Sequence, residues 1–144
     1  MVTRSMTQVP RIAVGVIVYK DDKIFLAKSK KWADRWIVPG GHLDWGEQLH
    51  DCVVREVKEE TNMDIQHVQM LQLQESIFPE QFHDKRHFVF LDFVAEYKEG
   101  DIILNDELQE YMWVTPKEAM TMNLNESTKS FVEAFMRTCQ KGCC

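Results

Sequence analysis

One 23-residue segment, from Gly41 to Met63, constrains this chain more than any other part of it. It reads GHLDWGEQLHDCVVREVKEETNM, and a helix would project Glu56, Glu59 and Glu60 together because they fall at i, i+3 and i+4. Clustered carboxylates repel one another unless a cation lies between them. Mg²⁺ suits oxygen ligands and retains places for water and phosphates. We therefore predict a divalent cation site on this helix, with a solvated acidic face as the alternative interpretation.

The residues around the carboxylates indicate that the helix packs on a core. Leu49, Cys52 and Val53 occupy the same helical stripe one or two turns earlier, so the face begins apolar and becomes acidic. We predict that this helix runs from Glu47 to Thr61. The preceding Pro39-Gly40-Gly41 is predicted to be a loop whose glycines let the backbone approach a ligand closely.

The segment resembles the signature of the Nudix family. That signature is written G-x5-E-x7-R-E-U-x-E-E-x-G-U, where U is an aliphatic residue. The residues that match it are Gly41, Glu47, Arg55, Glu56, Val57, Glu59, Glu60 and Met63. Asn62 departs from it, because it stands where the family has its final glycine. After glycine, Asn best tolerates the left-handed backbone, so we expect Asn62 to end the helix with a positive φ.

The resemblance implies a metal-dependent hydrolase. Nudix enzymes cleave a nucleoside diphosphate linked to another group X by attack of water on phosphorus, so the substrate would be a small phosphorylated nucleotide. Glu56, Glu59 and Glu60 would bind the metal, with the backbone carbonyl of Gly40 as an additional ligand. The expected ion is Mg²⁺, with Mn²⁺ as an alternative. Either Glu56 or Glu59 would be the catalytic base, and Glu56 is favoured.

The resemblance also assigns roles to charged residues beyond the metal ligands. In the family, the residues at the positions of Arg55 and Glu47 form an ion pair that orients the helix and the loop. Another carboxylate often enters from outside the signature. Glu107 occupies the place where some MutT-like members carry it, so it is a candidate catalytic residue. Glu110 competes for this role, and a solvated loop acid is the alternative interpretation of Glu107.

Several side chains near the signature are candidates for contacting the substrate. Basic residues could attract phosphates and aromatic residues could stack on a base, whereas a basic surface loop and core packing are the alternatives. The substrate-binding candidates are Arg35, Gly41, His42 and Phe78. Further basic or aromatic candidates are Lys28, Lys30, Lys31, Trp32 and Phe82. Core packing is the preferred interpretation of Trp36, Phe90 and Phe93.

Three functions remain open from the sequence. The segment from Pro39 to Glu47 is similar to that of MutT-like nucleoside triphosphate pyrophosphatases, which is the favoured hypothesis. Pro79 lies sixteen residues beyond the signature, a spacing associated with ADP-ribose pyrophosphatases, and nucleotide sugars belong to the same alternative. A nucleotide sensor that does not hydrolyse its ligand is less favoured, because such domains usually lose carboxylates of the signature.

Length and charge limit the partners of the chain. Its 144 residues are near the commonest domain size, so we expect one domain over residues 1–144. A net charge of −6 disfavours long nucleic acids. The longest apolar stretch, Ile12 to Tyr19, is far shorter than a membrane span, so we expect a cytoplasmic protein without a membrane partner. A homodimer is compatible with the sequence.

The cysteines are expected to be structural or terminal. Cys52 is expected to pack as a small hydrophobe, and Cys143 and Cys144 to form a frayed tail.

The hydrophobic pattern predicts an α/β (α+β) fold. Strands are expected at Ile12–Tyr19, Ile24–Ala27, Trp36–Val38, Val68–Ser76, His87–Glu96 and Met112–Val114. Thr115 and Glu118 form a capping box that should begin a short helix running from Pro116 to about Met122. A last helix is expected from about Ser127. The pattern fits a mixed sheet sandwiched between helices, as the Nudix resemblance also implies.

Overall fold

The computed structural model describes residues 8–140, with side chains to residue 138. Its strands are β1 Arg11–Lys20, β2 Lys23–Ser29, β3 Arg35–Ile37, β4 Gly40–His42, β5 Asp64–Ile77, β6 His87–Glu99 and β7 Tyr111–Val114. Its helices are α1 Leu49–Thr61, α2 Pro116–Ala119 and α3 Glu126–Gln140. The predicted mixed sheet with three helices is confirmed.

The sheet is built around β1. Its end forms a hairpin with β2, with Tyr19 opposite Ile24, while its beginning pairs antiparallel with β4 on the same side. On the other side β1 pairs in parallel with β6, which in turn pairs antiparallel with β5. The order is β3-β2-β1-β6-β5, with β7 paired to β2. One parallel pair among antiparallel ones makes the sheet mixed.

Each face of the sheet packs against helices. On one face, the apolar side of α1 contributes Cys52, Val53 and Val57, all fully buried with Val16 of β1. On the other face, Ile17 packs with residues of α2 and α3 such as Phe131. Successive strand residues point to opposite faces, so β1 is apolar on both. The expected burial of Cys52 is therefore confirmed.

The start of α1 and the Gly-Gly segment differ from the sequence predictions. The helix begins at Leu49 and not at Glu47, because Glu47 ends a turn in which its N–H donates to Asp44 O at 3.0 Å. Gly40 and Gly41 form β4, a three-residue strand, where a loop was predicted. A strand signal is absent there, since glycine has no side chain to produce an alternating pattern.

The predicted end of α1 is confirmed. Asn62 lies in the left-handed region, with φ 66° and ψ 5°, and its N–H donates to Lys58 O at 2.9 Å. Its side-chain amide donates to Asp101 O at 3.0 Å, which adds a contact that glycine lacks. Strand β5 follows at Asp64, four residues earlier than predicted. It pairs with β6 through several register shifts, and these irregularities blur its alternating pattern.

The two C-terminal helices follow their predictions, with one change in length. The capping box is present: Glu118 N–H donates to Thr115 Oγ1, and Thr115 N–H donates to Glu118 Oε1, each at 3.1 Å. This helix ends at Ala119, three residues before Met122. Helix α3 begins at Glu126, next to the expected Ser127. No helix within residues 8–140 is long and apolar enough to cross a membrane. Cys143 and Cys144 lie outside the described residues.

Candidate active site

One cavity of about 290 Å³ opens where β1, β4 and β6 meet the helices α1 and α3. Its lining includes three groups of side chains. The acidic cluster is Glu56, Glu60 and Glu107. The aromatic cluster is Trp32, Phe82, Phe88 and Phe90. The polar cluster is Asp92, Asn125, Ser127 and Thr128. An apolar cavity with a few convergent polar groups is the usual form of a small-molecule site.

Glu60 is the most buried acid of the cavity apart from Asp92, with 4% of its surface exposed. Its Oε1 accepts a hydrogen bond from Gly40 N–H at 2.7 Å, so α1 is joined to the glycine strand β4. Burial raises the pKa of Glu60 well above its ordinary value, the Gly40 N–H lowers it in part, and the neighbouring Glu56 and Glu107 raise it further. Burial and the neighbouring carboxylates thus favour the protonated form of Glu60, and a bound cation would favour its charged form.

Glu56 lies directly beneath Gly41. A Cβ added to Gly41 would collide with the Glu56 carboxylate, so only glycine leaves the carboxylate its place. Glu56 is 8% exposed, and its Oε1 accepts from Arg55 Nη1 at 2.8 Å. Burial raises the pKa of Glu56, whereas Arg55 lowers it. The close contact explains in physical terms why glycine stands at position 41.

Arg55 connects α1 to the segment that precedes it. Its Nε and Nη2 donate to the two carboxylate oxygens of Glu47 at 2.7 and 2.9 Å, and Nη2 also donates to His42 O at 3.0 Å. The Arg55 guanidinium holds the pKa of Glu47 at about 2. This two-point contact matches the planar geometry of both groups. The expected Arg55–Glu47 ion pair is present.

Glu59 is the member of the predicted metal set that lies outside the cavity lining. Its side chain is 56% exposed, and its Oε2 accepts from Arg55 Nη1 at 3.2 Å. The same Nη1 contacts Glu56, so the guanidinium lies between the two carboxylates. Glu56 and Glu60 therefore line the cavity, while Glu59 lies at its outer side against Arg55.

Glu107 and Glu110 are separated by the fold. Glu107 lines the cavity and accepts from Lys31 Nζ at 2.9 Å, a contact that lowers the pKa of Glu107. Glu110 lies outside the lining, and its Oε1 is 3.0 Å from Lys28 Nζ. The loop before β7 thus brings Glu107, rather than Glu110, to the two buried glutamates of α1.

The substrate-binding candidates fall into two groups. Gly41 and His42 line the cavity, and the His42 ring stacks on Phe88 with centroids 6.4 Å apart. Burial and the positive charges of Arg11, Lys31 and Arg86 lower the pKa of His42. Arg35 and Phe78 lie outside the lining: Arg35 Nη1 donates to Asn123 Oδ1 at 2.8 Å, and Phe78 contacts Lys85 Nζ 4.5 Å from its ring centroid. The geometry gives these two no contact with the cavity.

The aromatic candidates are also divided. Trp32 and Phe82 line the cavity, with ring centroids 4.6 Å apart, whereas Trp36 is 8% exposed and packs in the core as expected. Phe93 is buried too. The prediction that Phe90 packs in the core is wrong, because Phe90 is only partly buried and lines the cavity.

The sequence predictions missed the polar cluster. Asp92 lies in the middle of β6, is 3% exposed, and interrupts the apolar run from Phe88 to Ala95. That single acid in a buried strand is the signal that would have identified it. Asn125, which is 2% exposed, accepts from Thr128 N–H at 2.9 Å at the start of α3. This capping role resembles that of any polar residue before a helix, so the sequence did not distinguish it.

The acidic cluster fits a hard divalent cation. Among residues 8–140, no three His, Cys, Asp or Glu side chains already converge as a complete metal site. However, Glu56 and Glu60 are both buried with raised pKa values, and Glu107 adds negative charge beside them. Mg²⁺ and similar ions bind where several negatively charged oxygen ligands lie together. Glu56, Glu60 and Glu107 are the residues that would face such an ion within the cavity.

Comparison with known proteins identifies the relatives of this chain. A family model described as NUDIX domain matches residues 9–135. The NAD-capped RNA hydrolase NudC of Pseudomonas putida (strain GB-1) is 35% identical over 108 residues, which cover 72% of this chain and 37% of that protein. NudC of Photobacterium profundum is 28% identical over 142 residues, 90% of this chain and 51% of that protein. The chain thus spans between a third and about half of the length of these relatives.

Solved structures share the fold. The MutT NUDIX hydrolase from Burkholderia pseudomallei has a TM-score of 0.78 at 24% identity, covering 88% of this chain and 98% of that one. The NUDIX domain of Shewanella oneidensis NrtR, solved with ADP ribose, has a TM-score of 0.76 at 17% identity, covering 92% and 90%. At these identities the likeness concerns the fold.

Proposed function

The chain belongs to the Nudix hydrolase family, and from that membership we propose that it hydrolyses the pyrophosphate linkage of a nucleoside diphosphate joined to another group X. The favoured substrate is a nucleoside triphosphate, as in MutT-like pyrophosphatases. The observation that carries this proposal is the acidic cluster: Glu56, Glu60 and Glu107 come from two separate segments and line one cavity with four aromatic rings. A cation held by the first group would bind phosphates, and the rings of the second group suit a base.

Members of this family use a divalent metal, and we propose that the ion here is Mg²⁺. When bound, the ion would neutralise phosphate charge and orient the attacking water. Glu56, Glu59 and Glu60, with the Gly40 carbonyl, are the proposed ligands. Glu59 would join them from the outer side, where its present contact is Arg55. Mn²⁺ is the alternative ion, because its oxygen-ligand preference is similar.

The chemical step requires one proton acceptor. The oxygen of water bonds to phosphorus while the bond from phosphorus to the bridging oxygen breaks, and the bridging oxygen leaves with its electrons on the pyrophosphate. A carboxylate takes the proton of water. We favour Glu56, which faces the cavity under Gly41, over the exposed Glu59. Glu107 is proposed to assist from the opposite segment, and Arg55 to hold α1 in place through Glu47.

A second candidate is cleavage of ADP-ribose, NAD or a nucleotide sugar. It is favoured by the NudC relatives, whose names specify NAD-capped RNA. Pro79, the sequence feature associated with ADP-ribose enzymes, lies outside the cavity lining, although its carbonyl accepts from the N–H of Phe82, which does line it. The backbone of Pro79 thus contacts a residue of the lining, whereas its ring does not line the cavity.

A substrate panel tests the proposal. The protein is incubated with Mg²⁺ and each nucleoside triphosphate, ADP-ribose, NAD, nucleotide sugars and dinucleoside polyphosphates, and the products are separated. Pyrophosphate with a nucleoside monophosphate supports the favoured function. Ribose phosphate with AMP from ADP-ribose, or two monophosphates from NAD, supports the second candidate. Binding without turnover on the whole panel indicates the sensor hypothesis. Glu60→Gln prepared in parallel controls for contaminating hydrolases.

A further inference from the structure

Asp92 is a buried acid to which the proposed hydrolysis assigns no role. It pairs with Gly15 of β1 on one side and with Gln72 of β5 on the other, so it lies in the interior of the sheet. Its side chain is almost fully buried, yet it lines the cavity. A buried acid without a charged partner is costly, and it persists only where neighbouring groups satisfy it.

The two oxygens of Asp92 have different environments. Oδ2 accepts from Gln72 Nε2 at 3.0 Å and from Gln74 Nε2 at 2.7 Å. Oδ1 accepts no hydrogen bond from the described residues. Every fully buried side-chain oxygen and nitrogen among those residues has a partner, so Oδ1 is not fully buried. Oδ1 is therefore open to the cavity. Gly15 leaves it room, since a Cβ at that position would lie 3.1 Å from Oδ1.

The register of the sheet sets the distance from Asp92 to the acidic cluster. Gly15 lies between Asp92 on β6 and Gly40 on β4, and Gly40 N–H is bound to Glu60. Two strand spacings separate the backbones of Asp92 and Gly40, which is about 10 Å. This span is comparable with the length of a nucleoside from its phosphate to the far edge of its base. A nucleotide whose phosphate lies on a cation held by Glu60 is therefore long enough for its base to reach Asp92.

The aromatic cluster lines this path with apolar rings. Phe88 and Phe90 stack with ring centroids 4.9 Å apart and planes 18° apart, and Trp32 contacts both at 5.8 and 6.3 Å. Phe82 closes one edge, 5.1 Å from Phe88. Aromatic rings bind a planar heterocycle by stacking, which tolerates any base. Discrimination among bases must then come from a polar group, and Oδ1 of Asp92 is available for it.

We propose that Asp92 Oδ1 recognises the exocyclic amino group of a nucleobase, so that cytosine and adenine are preferred over uracil and hypoxanthine. This inference rests on the proposed function, because it assigns the base-binding end of the same cavity. A carboxylate oxygen accepts an N–H donor, and it repels the carbonyl oxygen that uracil and hypoxanthine carry at the same position. Gln72 and Gln74 are positioning residues, since they hold Oδ2 and leave Oδ1 toward the base.

Matched substrate pairs test the proposal. CTP and UTP, or ATP and ITP, differ at the amino or carbonyl group and its neighbouring ring nitrogen. The assay is run at about pH 8, above the pKa of about 6 that burial confers on Asp92. We expect kcat/KM to favour CTP and ATP by at least about 10-fold, the value of one charged hydrogen bond. Each preference is measured as a ratio, so differences in enzyme concentration cancel.

Asp92→Asn gives the sharper outcome. The two glutamine amides can donate only to the carbonyl oxygen of the new side chain, so its NH₂ would face the cavity. The preference should then shift toward UTP and ITP by at least about 10-fold relative to wild type. Glu75→Gln is the matched control, because Glu75 lies on the adjacent strand with an exposed side chain. Its ratios should equal those of wild type.

Binding of CMP and UMP, measured by calorimetry on wild type and Asp92→Asn, distinguishes failure of the proposed function from failure of the base assignment. If no triphosphate is hydrolysed but CMP binds more tightly than UMP only in wild type, the favoured triphosphate function fails and the base assignment stands. If hydrolysis proceeds with equal ratios and the two monophosphates bind equally or not at all, the base assignment is overturned and the function stands. Ratios that Asp92→Asn leaves unchanged also overturn it.

Discussion

Arg55 and Glu47 form a two-point ion pair, with N–O distances of 2.7 and 2.9 Å, across the turn that precedes α1. The same guanidinium also donates to His42 O and to Glu56, so Arg55 contacts the turn, β4 and the acidic cluster at once. A change at either residue should therefore alter the geometry of the site as well as the stability of the helix start.

Arg55→Lys should lower kcat/KM by at least about 10-fold although the charge is retained. A single ammonium cannot contact both oxygens of Glu47 and also reach His42 O, so α1 would shift relative to β4, and small displacements of catalytic groups are costly. Kinetics with the substrate identified by the panel measure the loss. Lys28→Arg, at the exposed pair with Glu110, is the control and should remain at wild-type activity.

Glu60→Gln should reduce turnover by about 100-fold or more at every Mg²⁺ concentration. The variant can still accept the Gly40 hydrogen bond, so the fold should be retained, but the buried charge that would face the ion is lost.

Glu59→Gln should also lose activity, and excess Mg²⁺ should partly restore it. The Glu59 carboxylate is exposed, and Arg55 competes with the ion for it. Metal titrations of both variants distinguish these outcomes. Full activity in excess chelator would contradict the metal assignment.

Glu107→Gln should lower turnover by about 100-fold, the range of a general acid or base, whereas Glu110→Gln should have little effect. The reason is their placement: Glu107 lines the cavity and Glu110 does not. Turnover is compared at saturating Mg²⁺ and across pH. Equal activity of the two variants would mean that Glu107 only neutralises Lys31.

Asn62→Val should lower the free energy of unfolding by about 1 kcal/mol or more, because a β-branched residue is strained at a φ of 66°. Asn62→Gly should differ from wild type by less than about 0.5 kcal/mol, since glycine removes the strain but loses the hydrogen bond to Asp101 O. Urea unfolding measures both variants. Equal stabilities for Gly and Val would show that the left-handed cap contributes nothing.

Asp92 should make the protein less stable as pH rises from about 4 to above 6. Burial raises the pKa of Asp92 from 3.8 to about 6, so the folded state holds the proton more tightly than the unfolded chain. The stabilising contribution is full below the unfolded pKa and is lost as pH rises through the folded one, a change of about 2–3 kcal/mol.

Urea unfolding of wild type and Asp92→Asn at several pH values tests this linkage. The stability of the variant relative to wild type should increase with pH over that interval, whereas Glu75→Gln should remain parallel to wild type. Parallel curves for wild type and Asp92→Asn would show that Asp92 titrates as an exposed acid does.

The local sequence was sufficient for the elements whose signals are periodic or stereochemical. The apolar run of β1, the carboxylate-bearing helix and the capping box at Thr115 were predicted because each depends on neighbouring residues only. The left-handed cap at Asn62 was predicted from the resemblance, because Asn62 stands at the final glycine of the family signature. The predicted start of α1 was wrong by two residues, because Glu47 lies in the preceding turn, where its N–H donates to Asp44 O. Strand β4 was missed because its pairing with β1, and not its composition, makes it a strand.

The sequence by itself determined the family signature and the identities of the charged residues that could perform the chemistry. Only the tertiary structure decided which of them share a cavity. Glu107 faces the cavity, while Glu110, three residues later, pairs with Lys28, and Glu59 lies outside the lining while Glu60 is buried. The pairing of β6 with β1 and β5 places Asp92 in the cavity lining. The physical reason is that burial and charge proximity arise from contacts between residues far apart in the chain, and local spacing does not contain them.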